Sequence, residues 1–258
     1  MDDLVSIIMP SYNTERFISE TIRSVLAQTH ANWELLAVDD MSTDRSDEAV
    51  APFLSDPRIR YLKNDRNRGA AFSRNRALRE AKGRWIACLD SDDLWEPEKL
   101  EKQIRFMKEK RCVFSYTNYR EIDENSEPTG VEVTGPKKIT KTGMYNYCWP
   151  GCLTVMYDAN AIGLIQIKEI EKNNDYAMWL QAAERADCYL LDENLARYRK
   201  RSGSISNHSY AKLVKWHYKL FREAVGRGAV ASLFLTGRNL FFGAIKKFRY
   251  VKRGRGSR

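Results

Sequence analysis

Apolar runs alternate with amphipathic stretches through the first part of the chain. Residues 4–11 (LVSIIMPS) read as a buried strand that Pro10 breaks. Thr14 predicts a helix cap, with Phe17, Ile18, Ile22, Val25 and Leu26 on one face of the helix behind it. A second apolar run, 33–38, ends in Asp39 and Asp40, and an amphipathic segment opening near Ser42, Thr43 and Asp44 carries Ala49, Val50 and Phe53. A short third run at 58–62 leads through the loop Asn67, Arg68, Gly69 into a helix with Ala70, Phe72, Ala77, Leu78 and Ala81, which Gly83 terminates. The fourth run, 85–89, stops in Asp90, Ser91, Asp92 and Asp93. Pro97 predicts a helix start just behind it, with Asp93 as its cap.

Strands alternating with helices through short loops predict right-handed βαβ units and a mainly parallel sheet flanked by helices, an α/β architecture. The second half is less regular. Residues 111–122 read as a strand, 123–142 as a Gly/Pro/Lys-rich hairpin excursion, and 145–151 as an aromatic-rich segment before another strand at 153–157. Asn173, Asn174 and Asp175 precede a helix that turns Ala177, Met178, Leu180, Ala183 and Ala186 inward. Strands at 188–191 and 195–199, a Ser/Gly loop at 202–207 and two helices broken at 226–228 complete the pattern.

Composition fits one large domain: 258 residues, 43% hydrophobic and 11% aromatic, enough for a substantial core. The formal charge of +9 alters the picture because it is uneven. No acid follows Glu223, whereas Lys246, Lys247, Arg249, Lys252, Arg253, Arg255 and Arg258 accumulate. That balance points to an anionic surface as a partner, and its terminal position argues against nucleic-acid binding. No apolar run is long enough to span a bilayer and the acidic start is no secretory leader, so the expected location is cytoplasmic. The 5 cysteines are an odd number and predict buried free thiols; Cys148 and Cys152, with only 3 histidines in the chain, are a weak zinc signal.

Polar or acidic residues follow the first, second and fourth strands: Ser11-Tyr12-Asn13, Asp39-Asp40 and Asp90-Ser91-Asp92-Asp93. In a parallel sheet such ends converge where strand order reverses, so they predict one ligand site. Crowded carboxylates require compensation, either by a divalent cation with oxygen ligands or by a helix N-terminus. No Gly-x-Gly-x-x-Gly follows the first strand and no Gly-x-x-x-x-Gly-Lys-Ser/Thr occurs. A bound phosphate would therefore be neutralised by a metal on the acid cluster, helped by Arg68 and Arg74.

The segments VSIIMPSYN (5–13), ELLAVDDMSTD (34–44), NRGAAFSRN (67–75), AKG (81–83) and DSDD (90–93) occur in order. Together they resemble the inverting family 2 glycosyltransferases of GT-A fold, almost continuously to about residue 100. Two later anchors, NDYAMW (174–179) and RYRKRSGSIS (197–206), resemble that family's catalytic-helix and loop segments. The resemblance implies a GT-A domain over 1–208, with a nucleotide-sugar half (1–100) and an acceptor half (101–208), followed by a helical basic extension over 209–258.

It further implies that Pro10, Tyr12, Asn13, Asp39, Asp40, Asn67, Arg68, Arg74, Asp90 and Ser91 bind the donor. An Asp suits uracil because it accepts from the ring N–H, so the implied donor is a UDP-sugar. Asp92 would ligate Mn²⁺ or Mg²⁺, with Asp90 on ribose or the metal, and Asp175 would be the general base. One base, with the metal assisting the leaving group, gives a single inverting displacement. The family often has an acid before that Asp, where this chain has Asn174. Capping remains the competing role for Asp40 and Asp175, and a surface ion pair for Arg74.

The acceptor, a glycan or lipid-linked glycan of the bacterial cell surface, would meet Trp149, Gly151 and Trp179, although each tryptophan also suits the core. Arg199, Ser204 and His208 would belong to a closing loop. The C-terminal helix is either a peripheral anchor to the anionic inner face of the plasma membrane or a packing helix with a solvated basic side. Two further readings compete: an NDP-sugar nucleotidyltransferase, whose Gly-rich phosphate loop is missing from 9–13, and a non-catalytic basic membrane- or polymer-binding module, which needs no acid cluster.

Overall fold

β1 (Val5–Ser11) lies between β2 (Trp33–Asp39) and β4 (Trp85–Cys88), with β3 (Ile59–Lys63) beyond β2, all in parallel. This computed structural model describes residues 3–201 and 210–254. Every residue of β1, β2 and β4 is buried, as expected for strands covered on both faces. Pro10 does not break β1. The Ile8 carbonyl accepts from Leu89 on the β4 side, so Pro10, two residues on, also faces that side. Pairing with β4 ends at Ile8, so no partner is deprived by an imide without an N–H.

Helices cover both faces: α1 (Ile18–Leu26), α2 (Ser46–Val50), α3 (Ala70–Glu80) and α4 (Lys99–Lys110). Alternation along the strands divides the core. Val5, Ile7, Met9, Leu35, Ala37, Trp85 and Ala87 pack with Ile18, Ile22, Leu100 and Ile104. Ile8, Leu36, Val38, Ile86 and Cys88 face the opposite way, against Ala71, Ala77, Leu78 and the second half of the chain. Gly83 is required by proximity, since a Cβ there would lie 2.6 Å from the Ser6 nitrogen.

The predicted helix start after Asp93 is displaced. Leu94–Trp95 is instead a short strand, β5, and α4 opens at Lys99. The second half comprises β6 (Phe114–Ile122), β7 (Pro128–Val133), β8 (Lys138–Ile139), α5 (Lys141–Asn146), β9 (Met156–Asp158), α6 (Ala159–Ile162), α7 (Asn174–Ala183) and β10 (Cys188–Arg199). β9 joins β4 to β6 by antiparallel pairing on both sides, and β10 runs parallel to β6 while pairing antiparallel with β5 and β8. The result is a parallel β3-β2-β1-β4 core extended by antiparallel pairs into a mixed sheet.

The C-terminal segment is woven into this sheet. α8 (Tyr210–Lys219) runs into a π-helical turn (Leu220–Ala224) and then α9 (Ala229–Arg249). The chain ends its described course as β11 (Val251–Arg253), an edge strand antiparallel to β7. Leu220 and Phe221 are fully buried, with the Phe221 ring against Tyr145 and Tyr176. Gly243 lets α9 approach closely, because a Cβ there would stand 2.9 Å from the Tyr147 ring.

Candidate active site

The strand order 3-2-1-4 reverses at β1, and the C-terminal ends of β1, β2 and β4 form the crevice that such a reversal opens. Pro10 lies buried near the end of β1, and Tyr12, 46% exposed, stands just beyond it. Asn13 adopts a left-handed φ of 51°, and its Oδ1 accepts from the Thr43 N–H at 2.8 Å. Asp39 is fully buried at the end of β2; its carboxylate accepts from the Ser42 N–H at 3.0 Å and from the Ser42 hydroxyl.

Asp40 has a structural task. Its carboxylate accepts from the N–H groups of Arg68 and Gly69, at 2.9 and 2.6 Å, and from Asn64 at 2.7 Å. It therefore caps α3, whose N-cap Gly69 has no side chain to offer. Asn67 is exposed, and Arg68 lies over the Phe72 ring at 3.5 Å and 3.4 Å from Glu169.

The acid-bearing turn after β4 is held by a residue expected elsewhere. The side chain of Arg199, assigned from sequence to the closing loop, is 0% exposed. It donates to the Asp92 carbonyl (2.7 Å), Asp123 carbonyl (3.2 Å) and Ser126 hydroxyl (2.8 Å), and pairs with Glu20 at 2.7 Å. The Arg199 backbone N–H donates to the Asp93 carboxylate at 2.8 Å, so Asp93 anchors β10 rather than capping a helix. Thr21 ties the buried Ser91 through its carbonyl at 3.1 Å. Burial, with Asp92 and Asp90 alongside, raises the Asp93 pKa well above the usual carboxylate range.

The two acids left towards the crevice, Asp90 and Asp92, each have a cation. Arg201, two residues after Arg199 and on the same side of the extended chain, reaches Asp92 at 2.8 Å. Burial still pushes the Asp92 pKa up, with Asp90 adding to the rise against Arg201. Arg74, on the buried face of α3, forms an ion pair with Asp90, donates to the Asn174 side-chain carbonyl and lies 3.5 Å from the Cys152 sulfur. A solvated surface pair is thus excluded for Arg74, which is 5% exposed.

Asp175 opens α7 immediately after Asn174, behind Asn173 in a left-handed conformation. Its surroundings raise its pKa, chiefly by burial, with Arg74 opposing and Asp90 reinforcing the rise. Sequence reasoning missed Lys246 of α9. Its ammonium donates to the carbonyls of Cys148 (3.4 Å) and Trp149 (2.8 Å), and its field reaches Asp175. No local motif marks it, because tertiary packing alone brings α9 here.

The expected acceptor aromatics are mostly packing. Trp179 is fully buried against Phe114, so its ring offers no face to a sugar. Trp149 is 6% exposed, bonds the Gly143 carbonyl through its indole at 2.9 Å, and sits among Tyr147, Phe242 and Tyr250. Gly151 is partly exposed beside Tyr119 and Leu153. Ser204 and His208 lie outside the described residues.

Among the described residues, no group of three His, Cys, Asp or Glu side chains gathers into a metal cage. The residues nevertheless fit a hard divalent cation of the kind that takes one or two carboxylates and completes its shell with water and phosphate oxygens. Asp90 and Asp92 are hard oxygen donors at one turn, Asp90 paired with Arg74 and Asp92 with Arg201, and burial with the neighbouring Asp90 raises the Asp92 pKa against Arg201 and Arg199. Cys148 shares no such group with Cys152, and all 5 cysteines are free.

A curled mixed sheet with a carboxylate-lined crevice at its switch point defines a GT-A-type nucleotide-sugar transferase fold. The family model described as Glycosyl transferase family 2 matches residues 6–162, and the chain belongs to that family. It is 40% identical over 222 residues to "Putative teichuronic acid biosynthesis glycosyltransferase TuaG" of Bacillus subtilis, covering 85% of this chain and 88% of that one. It is 44% identical over 216 residues to the Escherichia coli "UDP-Glc:alpha-D-GlcNAc-diphosphoundecaprenol beta-1,3-glucosyltransferase WfgD", covering 83% and 84%. The structure of S. aureus TarS 1-349 with UDP-GlcNAc superposes with a TM-score of 0.71 at 20% identity, over 95% of this chain and 74% of that chain. Membership sets aside the nucleotidyltransferase and the non-catalytic module.

Proposed function

We propose that this glycosyltransferase moves a sugar from UDP to a hydroxyl of a lipid-linked glycan, with inversion, in bacterial cell-surface polysaccharide synthesis. One observation carries the reading: a single buried guanidinium, Arg74, touches Asp90 on the donor side and Asn174, next to Asp175, on the other. Donor anchor and base are thereby held in one rigid frame.

In this reading Asp39 accepts from the uracil ring N–H, and Tyr12 and Pro10 flank the base. Asp92, with Asp90, would hold Mn²⁺ or Mg²⁺, which when bound supplies charge stabilisation at the departing diphosphate. Asp175 takes the proton of the acceptor hydroxyl as that oxygen attacks the anomeric carbon from the face opposite the diphosphate. Burial suits Asp175 to the task, since a carboxylate base gains strength as its pKa rises towards the working pH. A lipid-linked acceptor, as in the name of WfgD, supports work at the cytoplasmic side of the plasma membrane. Among the described residues no helix is long and apolar enough to cross a membrane, so attachment would be peripheral.

The test is thermal stabilisation by UDP-, GDP- and dTDP-sugars with and without Mn²⁺, paired with transfer assays on Asp175→Asn. The expected pattern is Mn²⁺-dependent stabilisation by a UDP-sugar, retained in Asp175→Asn while transfer is lost. Transfer by Asp175→Asn at the wild-type rate would remove the base assignment, and an unchanged anomeric configuration in the product would remove inversion.

A further inference from the structure

α9 (Ala229–Arg249) buries small polar residues and leaves several of its large apolar ones outside. The side it turns to the protein carries Ser232, Thr236 and Asn239, all at most 2% exposed. Each is satisfied: Ser232 donates to the Gly228 carbonyl at 2.9 Å, Thr236 to the Ser232 carbonyl at 2.7 Å, and Asn239 to the Tyr176 hydroxyl at 2.7 Å. The opposite side carries Val230 (85% exposed), Leu233 (64%), Phe234 (67%), Phe241 (65%) and Phe248 (97%). Positions 230, 234, 241 and 248 fall on one stripe of an α-helix, and the 21 residues of α9 make that stripe about 30 Å long. Scattered exposed apolar residues are ordinary, but large apolar residues aligned on the outer side of a helix, opposite its buried polar positions, mark a contact surface.

Charge selects the occupant. The nine basic residues after Glu223 meet no acid and equal the whole formal excess of +9, so the preceding chain is balanced. Arg238 and Arg249 flank one side of the stripe and Lys247 the other, with Lys252 and Arg253 exposed on β11 at its end. A second copy of this face would set cations against cations. An interface of anionic headgroups over acyl chains satisfies both features at once: the rings enter the apolar boundary while the basic side chains extend to the phosphates.

We infer that the outer face of α9 is a docking surface for an anionic lipid bilayer, on which the helix lies parallel to the membrane plane. The docking rests on the lipid-linked acceptor reading for its purpose but not for its physics. From the other side of the same helix Lys246 reaches the Cys148 and Trp149 carbonyls and the field of Asp175, so α9 joins the bilayer to the acceptor side of the site. Gly243 and the Asn239–Tyr176 bond fix the helix on the domain, making it a mount rather than a tether.

The experiment is co-sedimentation of the full chain with acceptor-free phosphatidylcholine vesicles, with or without roughly 30% phosphatidylglycerol. The wild type is expected on the anionic vesicles and to be released by salt. F234S/F241S/F248S should lose at least about tenfold in partitioning while keeping its melting temperature and UDP stabilisation, because these rings are exposed. Equal partitioning of the triple variant, or no binding by the wild type, overturns the proposal. So does a wild-type dimer that the triple variant breaks without any vesicle binding. Transfer to a soluble acceptor analogue reports the catalytic reading separately: its absence with docking intact indicts that reading and leaves the surface standing.

Discussion

Replacing Arg199 with Met removes the clamp on the acid-bearing turn while keeping much of the side-chain volume. The guanidinium is 0% exposed and makes short bonds to the Asp92 carbonyl (2.7 Å), Ser126 (2.8 Å) and Glu20 (2.7 Å). The Glu20 partner is 41% exposed, so screening discounts that pair to about 1 kcal/mol or less. The two shorter bonds to neutral oxygens, to Asp92 and Ser126, are charge-assisted and contribute about 1.5–3 kcal/mol each. The expected loss is therefore about 3–6 kcal/mol, overlapping the range for breaking a buried charged network. Urea unfolding followed by fluorescence measures it, and Arg199→Lys, which restores charge but not the planar fork, should recover only part. Because the same side chain positions the Asp92 backbone, Arg199→Met should also weaken Mn²⁺-dependent UDP stabilisation more than a remote variant of equal instability. An unfolding midpoint equal to wild type would refute the clamp; equal UDP stabilisation would refute its link to the site.

Lys99 offers a second test. It is fully buried on α4, bonded to Gln103 at 2.8 Å and 4.1 Å from the Trp95 ring, and burial lowers its pKa from 10.5 to about 7. The unfolded chain then holds a proton that the folded one lacks between pH 7 and 10.5, so stability rises with pH across that window. The full penalty, about 4–5 kcal/mol from that shift, is present below pH 7. Lys99→Met should flatten the rise between pH 7 and 10, and an unchanged slope in urea titrations would show that Lys99 is not its source. Asn174→Asp places a second carboxylate beside Asp175 and on Arg74. Like charge should raise the Asp175 pKa further, moving the acid limb of the kcat/KM profile to higher pH; an unmoved limb would show that Asp175 is not the titrating base.

The first half of the chain was legible because its strands are short apolar runs ending in polar residues, a pattern that local sequence carries whole. β1, β2, β3 and β4 lie where their runs placed them, although Pro10, tolerated at an unpaired flank, ran against local expectation. Legibility failed where a residue's partner is remote. Asp93 preceded a plausible helix start, yet Leu94–Trp95 pairs with Ala196 and Arg197 in β10, and that strand supplies the N–H its carboxylate accepts. Arg199 read as a loop residue because the positions it joins, Glu20, Asp92 and Ser126, are scattered in sequence. The aromatic run 145–151 had the composition of a sugar platform, but those rings are consumed in seating Phe221, Phe242 and Tyr250. α9 was the hardest case. Its periodicity was visible, but periodicity cannot say which side faces in, and here small polar residues meet the protein.

Arg74 explains why the two halves of the site tolerate such different architectures. Asp39, Asp90 and Asp92 arise from a parallel βαβ core and Asp175 from a helix in the irregular half, so no single element positions both. A buried cation between them is the economical solution: Asp90 and Asp175 both favour its charge against the burial that opposes it. The same cation restrains the pKa of Asp175 while Asp90 and burial raise it. Asn174 fits this balance, since a neutral acceptor orients the guanidinium without adding a negative charge next to Asp175. An acid at position 174 would have to share the guanidinium with Asp90.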